Sequence, residues 1–212
     1  MACLPMMGVA QNTWESPQNE THQAETKKKA LFDSNKKKTD AKYLAGAVPE
    51  VDGKVVFTLD KAVPNMNAEA IYDTLYNVMT ALTKEPNQFP TSRIVVVNKG
   101  ERTIAASYKE WLVFQNSFLS LDRTVFNYVL IAKIQDHHLT LTMERLNYQY
   151  ETERSDAKGG LETRAEGWIT DADGLNKKKT APARYSGKFR VKTIDRKDYI
   201  FNKVCQALGI AD

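Results

Sequence analysis

The chain has 212 residues, 42% of them hydrophobic and 26% charged, with a formal net charge of +4. That composition is ordinary for a globular protein of one domain plus tails or two very small domains, and the charge alone is too small to point to nucleic acid. Cys3 and Cys205 stand at opposite ends, which argues against a disulfide framework. No Cys/His cluster has zinc spacing, and no stretch approaches the roughly 20 apolar residues of a membrane-spanning helix.

Residues 1–11 are apolar and stop abruptly at Asn12. Gly8-Val9-Ala10 fits the small-residue rule before a signal-peptidase cut, so this segment reads as the remnant of a secretory signal. On that reading its basic front and most of its apolar core lie upstream of Met1. The protein is then exported, to the periplasm or the outer membrane, and Cys3 is a candidate acylation site. Residues 12–42 are polar and lysine-rich, with Lys27-Lys28-Lys29 and Lys36-Lys37-Lys38, and read as a flexible tether.

A domain is expected over 43–210. Lys54–Leu59 reads as a first strand. Asn67 is placed to cap a helix whose buried stripe is Ile71, Leu75, Val78, Met79 and Leu82, flanked by Tyr72 and Tyr76. Glu85-Pro86 ends it. Arg93–Asn98, rich in β-branched residues, and Thr103–Tyr108, extending toward Phe114, form a hairpin through Lys99-Gly100-Glu101. Asn116 to Asp122 makes another turn.

The organising stretch is Thr124 to Tyr150. Phe126, Tyr128, Leu130, Ala132 and Ile134 share one face of a strand, and Leu139, Leu141 and Met143 share one face of its partner, with the turn near Gln135-Asp136-His137. After Arg145 the apolar series shifts to Leu146, Tyr148 and Tyr150, which a β-bulge at Arg145 explains. Residues 151–192 read as a long loop whose one strongly apolar pair, Trp168-Ile169, docks it onto the sheet. Thr193 then caps a final helix with Ile194, Phe201, Val204, Cys205 and Leu208 buried and Gly209 ending it. The order β-α-β-β-β-β-α is an α+β fold: an antiparallel sheet with both helices on one side.

That order, together with Lys54-Val-Val-Phe, Ala70-Ile-Tyr-Asp, Arg93-Ile, the Val125–Ala132 strand and Gly167-Trp-Ile-Thr…Lys192-Thr-Ile-Asp, resembles a family of uncharacterised exported proteins of Bacteroides-type bacteria. That family is described as a domain of unknown function with a TBP-like fold. The likeness runs from about Lys42 to Gly209. It implies the TBP-like fold and an envelope or extracellular location. It implies no activity and supplies no functional residues to carry over.

The residues themselves present no catalytic set, no cofactor motif and no metal site. His137-His138 would point to opposite sides of a strand, and Asp171-Ala-Asp173-Gly174 lacks the remaining ligands of a calcium loop. No Gly-rich phosphate loop, nucleophile elbow or zinc-protease helix is present. Two features stand out. Lys177 to Lys197 carries nine Lys/Arg against Asp195, a local +8. Within it Lys177, Lys178, Lys179, Lys188, Arg190 and Lys192 form a candidate anion-interaction surface for a polyanion; a solubilising edge is the other reading. The second sheet face carries Val125, Val129 and Ile131, covered by the Trp168 loop or by a partner. Three functional readings follow: an exported non-enzymatic binding module, with an envelope protein among its candidate partners; polyanion or nucleic-acid binding through residues 177–197; and a small apolar ligand carrier or enzyme with a pocket between helix and sheet.

Overall fold

The computed structural model describes residues 39–117, 120–152 and 160–211. The signal remnant and nearly all of the tether lie outside them. Ten main elements follow in order: β1 (Glu50–Val51), β2 (Lys54–Val55), β3 (Phe57–Ala62), α1 (Ala68–Leu82), β4 (Arg93–Asn98), β5 (Thr103–Ser117), β6 (Ser120–Gln135), β7 (His138–Tyr150), β8 (Leu161–Arg164) and α2 (Gly187–Leu208). β1 and β2 form a separate two-stranded ribbon. The main sheet is antiparallel, ordered β3-β7-β6-β5-β4, with β8 also paired to β7.

The period-two alternation puts one side chain in two against the helices. Phe126, Tyr128, Leu130, Ala132 and Ile134 of β6 face the same way as Ile104, Ala106 and Tyr108 of β5 and Leu139, Leu141 and Met143 of β7, and all are buried. Cross-strand register stacks Tyr108 on Tyr128 and Phe126 on Tyr148, with ring centroids 5.0 and 5.1 Å apart. Such pairs add about 0.5–1.5 kcal/mol beyond area burial. Tyr108 donates its hydroxyl hydrogen to the Met79 carbonyl of α1 at 2.8 Å, and the Tyr148 hydroxyl meets Thr193 Oγ1 of α2 at 2.7 Å. Both helices therefore lie on this face, and the space beneath them is filled by Ile71, Leu75 and Met79 from α1 and Phe189, Ile194 and Val204 from α2.

Asn67 caps α1 as expected, its side-chain oxygen accepting from the Ala70 amide at 2.9 Å. The bulge lies where the apolar phase changes. Glu144 stands opposite Val129 and Asn147 opposite Asn127, so Arg145 and Leu146 share the single partner Tyr128, and Arg145 takes the left-handed φ of +57°.

Four expectations need correcting. Thr193 caps nothing: α2 begins six residues earlier, at Gly187, and Thr193 is buried mid-helix against Tyr148. Residues 151–192 are not one loop, since β8, a 3-10 turn at Ala165–Gly167 and the first turns of α2 lie within them. β5 and β6 run on to Ser117 and Ser120, past the assigned turn. The Trp168 loop does not cover the second sheet face. Trp168 packs edge-on to Phe189 of α2 and Ile169 is fully buried, so the loop lies on the helix side, leaving Val129 and Ile131 partly exposed.

Candidate functional site

The basic stretch at 177–197 comes apart in three dimensions. Lys177, Lys178 and Lys179 are exposed on a turn that Asn176 closes by accepting from the Thr180 amide. Lys188 instead donates to Asp122 at 2.8 Å and to the Tyr150 hydroxyl at 2.9 Å, over the rings of Phe114 and Tyr150. Lys192 is half-buried on α2. Arg190 belongs to no surface: it is fully buried. Its guanidinium donates to the carbonyls of Tyr43, Leu44 and Ile169 at 2.7, 2.5 and 2.7 Å and to Asp171 at 2.7 Å. Asp171 also accepts from the Gly46 amide at 2.8 Å. Burial opposes ionisation of Asp171, but the Gly46 and Arg190 bonds outweigh it and hold its carboxyl below the usual range. Arg190 thus fastens both the start of the domain and the Trp168 loop onto α2.

Arg196 is consumed in the same way. Its guanidinium grips Glu110 through two bonds of 2.8 and 2.7 Å and reaches Glu85 at 2.7 Å. Glu110 is wholly buried and also accepts from Asn87 and Gln88. Glu85 takes two further donors, Tyr199 and Lys203. Burial resists the Glu85 charge, yet the Lys203, Arg196 and Tyr199 bonds prevail and lower its proton affinity. A buried pair of this kind is satisfied only when each partner stays.

The open chemistry lies elsewhere, on the β7 edge. β3 pairs with β7 from His138 to Met143 and β8 from Asn147 to Tyr150. β6 runs along the opposite side of β7, so β3 and β8 lie end to end on one edge. Between them Glu144, Arg145 and Leu146 have no ladder partner on that side, where β2 and the 3-10 turn at Ala165–Gly167 pack against β7 instead. The bulge that β7 needs to keep its apolar face inward falls at this interruption. Asn147 secures it, donating to the Arg145 carbonyl at 3.3 Å while accepting from Asn127 at 2.9 Å.

Other segments wall the interruption into a notch of about 580 Å³. Asp52 and Gly53, both in the left-handed region, fold the β1–β2 ribbon back so that Val51, Asp52 and Lys54 line one side. Arg164 at the end of β8 and Glu166 of the 3-10 turn line the other, and Val56 and Leu146 add apolar surface. Glu166 bridges the walls, accepting from the Val55 amide at 3.2 Å. Glu144 pairs with Arg145 at 3.4 Å. Lys54 and Arg164 are exposed and carry no ion pair among the described residues. A volume of this size falls within the range of ligand pockets.

The notch was half legible. The phase change at Arg145 announced the bulge, but Arg164 and Glu166 sit in the stretch read as loop, and nothing local ties them to Lys54. Among the described residues no cluster of three or more His, Cys, Asp and Glu side chains is placed to hold a metal ion. No described helix is long and apolar enough to cross a membrane.

A five-strand antiparallel path backed on one side by two helices, with an extra strand on one edge, defines an α+β protein of TBP-like fold. Residues 57–149 match the family model of the domain of unknown function DUF4468, with TBP-like fold. A DUF4468 family protein from Bacteroides ovatus is similar at 41% identity and TM-score 0.74, over 83% of this chain and 98% of that one. The chain belongs to the DUF4468 family. A TBP-like protein from Parabacteroides distasonis shares the fold at 21% identity and TM-score 0.57, over 78% of this chain and 99% of its own. No curated protein matches the chain.

Proposed function

We propose that this protein is a non-enzymatic binding module of the cell envelope, exported to the periplasm or outer membrane, and that it takes its ligand in the notch between β3 and β8. The observation that carries this reading is the notch itself: a cleft of about 580 Å³ on an interrupted sheet edge, walled by four chain segments. Export is supported by the Gly8-Val9-Ala10 pattern, which lies outside the described residues. The helix–sheet interface favours no carrier role, because core side chains fill it.

The test is a thermal-shift screen of peptides, glycans, lipopolysaccharide and other polyanions against the wild-type chain and the Lys54→Ala/Arg164→Ala double variant. A ligand that stabilises the first and not the second supports the notch. A response untouched by that variant but abolished by Lys177→Ala/Lys178→Ala/Lys179→Ala places binding on the basic turn instead. Turnover of any screened compound overturns the non-enzymatic reading. Amino-terminal sequencing of the mature protein from fractionated cells tests export, and an uncut cytosolic chain refutes it.

A further inference from the structure

We propose that the segment leading into α2 docks the protein onto a membrane surface with anionic headgroups, independently of what the notch takes. The first argument is the charge left over once the fasteners are subtracted. Between Asp173 and Asp195 the chain has seven Lys/Arg and no Asp or Glu. Arg190 is spent on Asp171 and Lys188 on Asp122. Lys177, Lys178, Lys179, Arg184 and Lys192 form no ion pair among the described residues, and all but Lys192 are exposed. Exposed Asp173, which accepts from Thr170 Oγ1 at 3.3 Å, sets one negative charge against these five. Such a surplus attracts an anionic partner.

The second argument is what these cations surround. The amides of Asn176 and Ala183 donate to the carbonyls of Ala181 and Gly174, each at 2.9 Å, closing a small hairpin with Lys177 to Lys179 at its tip. Its return arm, Pro182-Ala183, lines a cleft of about 290 Å³ together with Val191 of α2 and Phe114 of β5. Lys188 and Lys192, one helical turn apart, complete the lining, and no carboxylate takes part in it. Tyr185 stands between the cleft residues Ala183 and Gly187 and is 72% exposed, with the Arg184 guanidinium 5.5 Å from its ring centre. A soluble polyanion gains nothing from an apolar cleft or an exposed aromatic ring. A lipid leaflet uses both: its phosphates meet the cations, while Tyr185 and the cleft receive the carbons just below the headgroups.

The experiment is co-sedimentation of the full chain with vesicles of phosphatidylcholine alone or mixed with phosphatidylglycerol, at low and high salt. The expected result is binding to the anionic vesicles alone, weakening as salt rises. Lys177→Ala/Lys178→Ala/Arg184→Ala removes three exposed cations and spares Lys179, whose left-handed φ of +54° belongs to the turn. At about fivefold per cation near an anionic leaflet, that variant should bind roughly a hundredfold more weakly. Tyr185→Ser should lose affinity severalfold at both salt concentrations, and Lys54→Ala/Arg164→Ala should bind as the parent does. Equal binding to neutral vesicles overturns the proposal. So does binding abolished by Lys27→Ala/Lys28→Ala/Lys29→Ala but kept by the hairpin variant, which assigns the contact to the tether. An unchanged Tyr185→Ser, with inorganic polyphosphate displacing the vesicles, makes the hairpin a site for soluble polyanions and overturns the lipid surface. Loss in Lys54→Ala/Arg164→Ala moves the contact to the notch. No binding to either vesicle refutes the docking and leaves the notch reading standing.

Discussion

On α2, Arg190 and Arg196 each meet a carboxylate and further acceptors or shared partners. At the notch, Lys54 and Arg164 meet no carboxylate among the described residues. All four are cations on a β-rich scaffold, yet the first two act as internal fasteners and the second two remain open to a ligand. A charge withdrawn from water must be matched within the molecule, whereas a charge left in water is free to be matched by something else. Sequence charge density therefore misleads here: the densest basic stretch contains both fasteners, and the notch draws its cations from two sparse ones.

The sharpest way to break this contrast is Arg190→Met. It strands half-buried Asp171 and three carbonyls around a fully buried site, so urea unfolding should show a loss of about 3–5 kcal/mol. A variant of unchanged stability but weakened polyanion binding would return Arg190 to a surface role. Next in size is the Arg196–Glu110 pair. Arg196→Met alone should cost about 3 kcal/mol by leaving Glu110 buried and uncompensated, and adding Glu110→Met should restore much of it. A strictly additive double variant would deny the coupling.

Acid should probe the same fasteners. The Glu85 and Asp171 carboxyls lie below their ordinary values in the folded state. Asp136 does too, through its bond from the Ala68 amide. A depressed folded pKa contributes stability that is present above the unfolded value, about 4, and is lost as pH falls through the folded one. The thermal midpoint should therefore drop between pH 5 and pH 3, and Glu85→Gln should flatten that slope. A slope unchanged in Glu85→Gln would remove Glu85 from the account. The smallest effect belongs to the notch: Lys54→Ala and Arg164→Ala should each stay within about 0.5 kcal/mol of the parent. A larger loss would make these residues fasteners as well.

The order and pairing of the central strands could be read from local pattern, because each β5, β6 or β7 side chain declares its face by its neighbours two positions away. The α1 cap and the Arg145 bulge were readable for the same reason. The start of α2 was not, since Ser186 makes no side-chain cap bond and Thr193 offered a better-looking cap inside the helix. The role of Trp168 was missed because an apolar pair says that it is buried, not on which side.

Sequence alone determined the α+β class, the register of the long hairpin and its one bulge, since these follow from alternation and hydrogen-bond spacing within a few residues. Tertiary structure decided the fate of the charges. Arg190 reaches Tyr43 across 147 positions, and Glu166 reaches the Val55 amide across 111. Whether a cation is fastener or free hand depends on what distant segment arrives beside it, and that is settled only when the chain has closed.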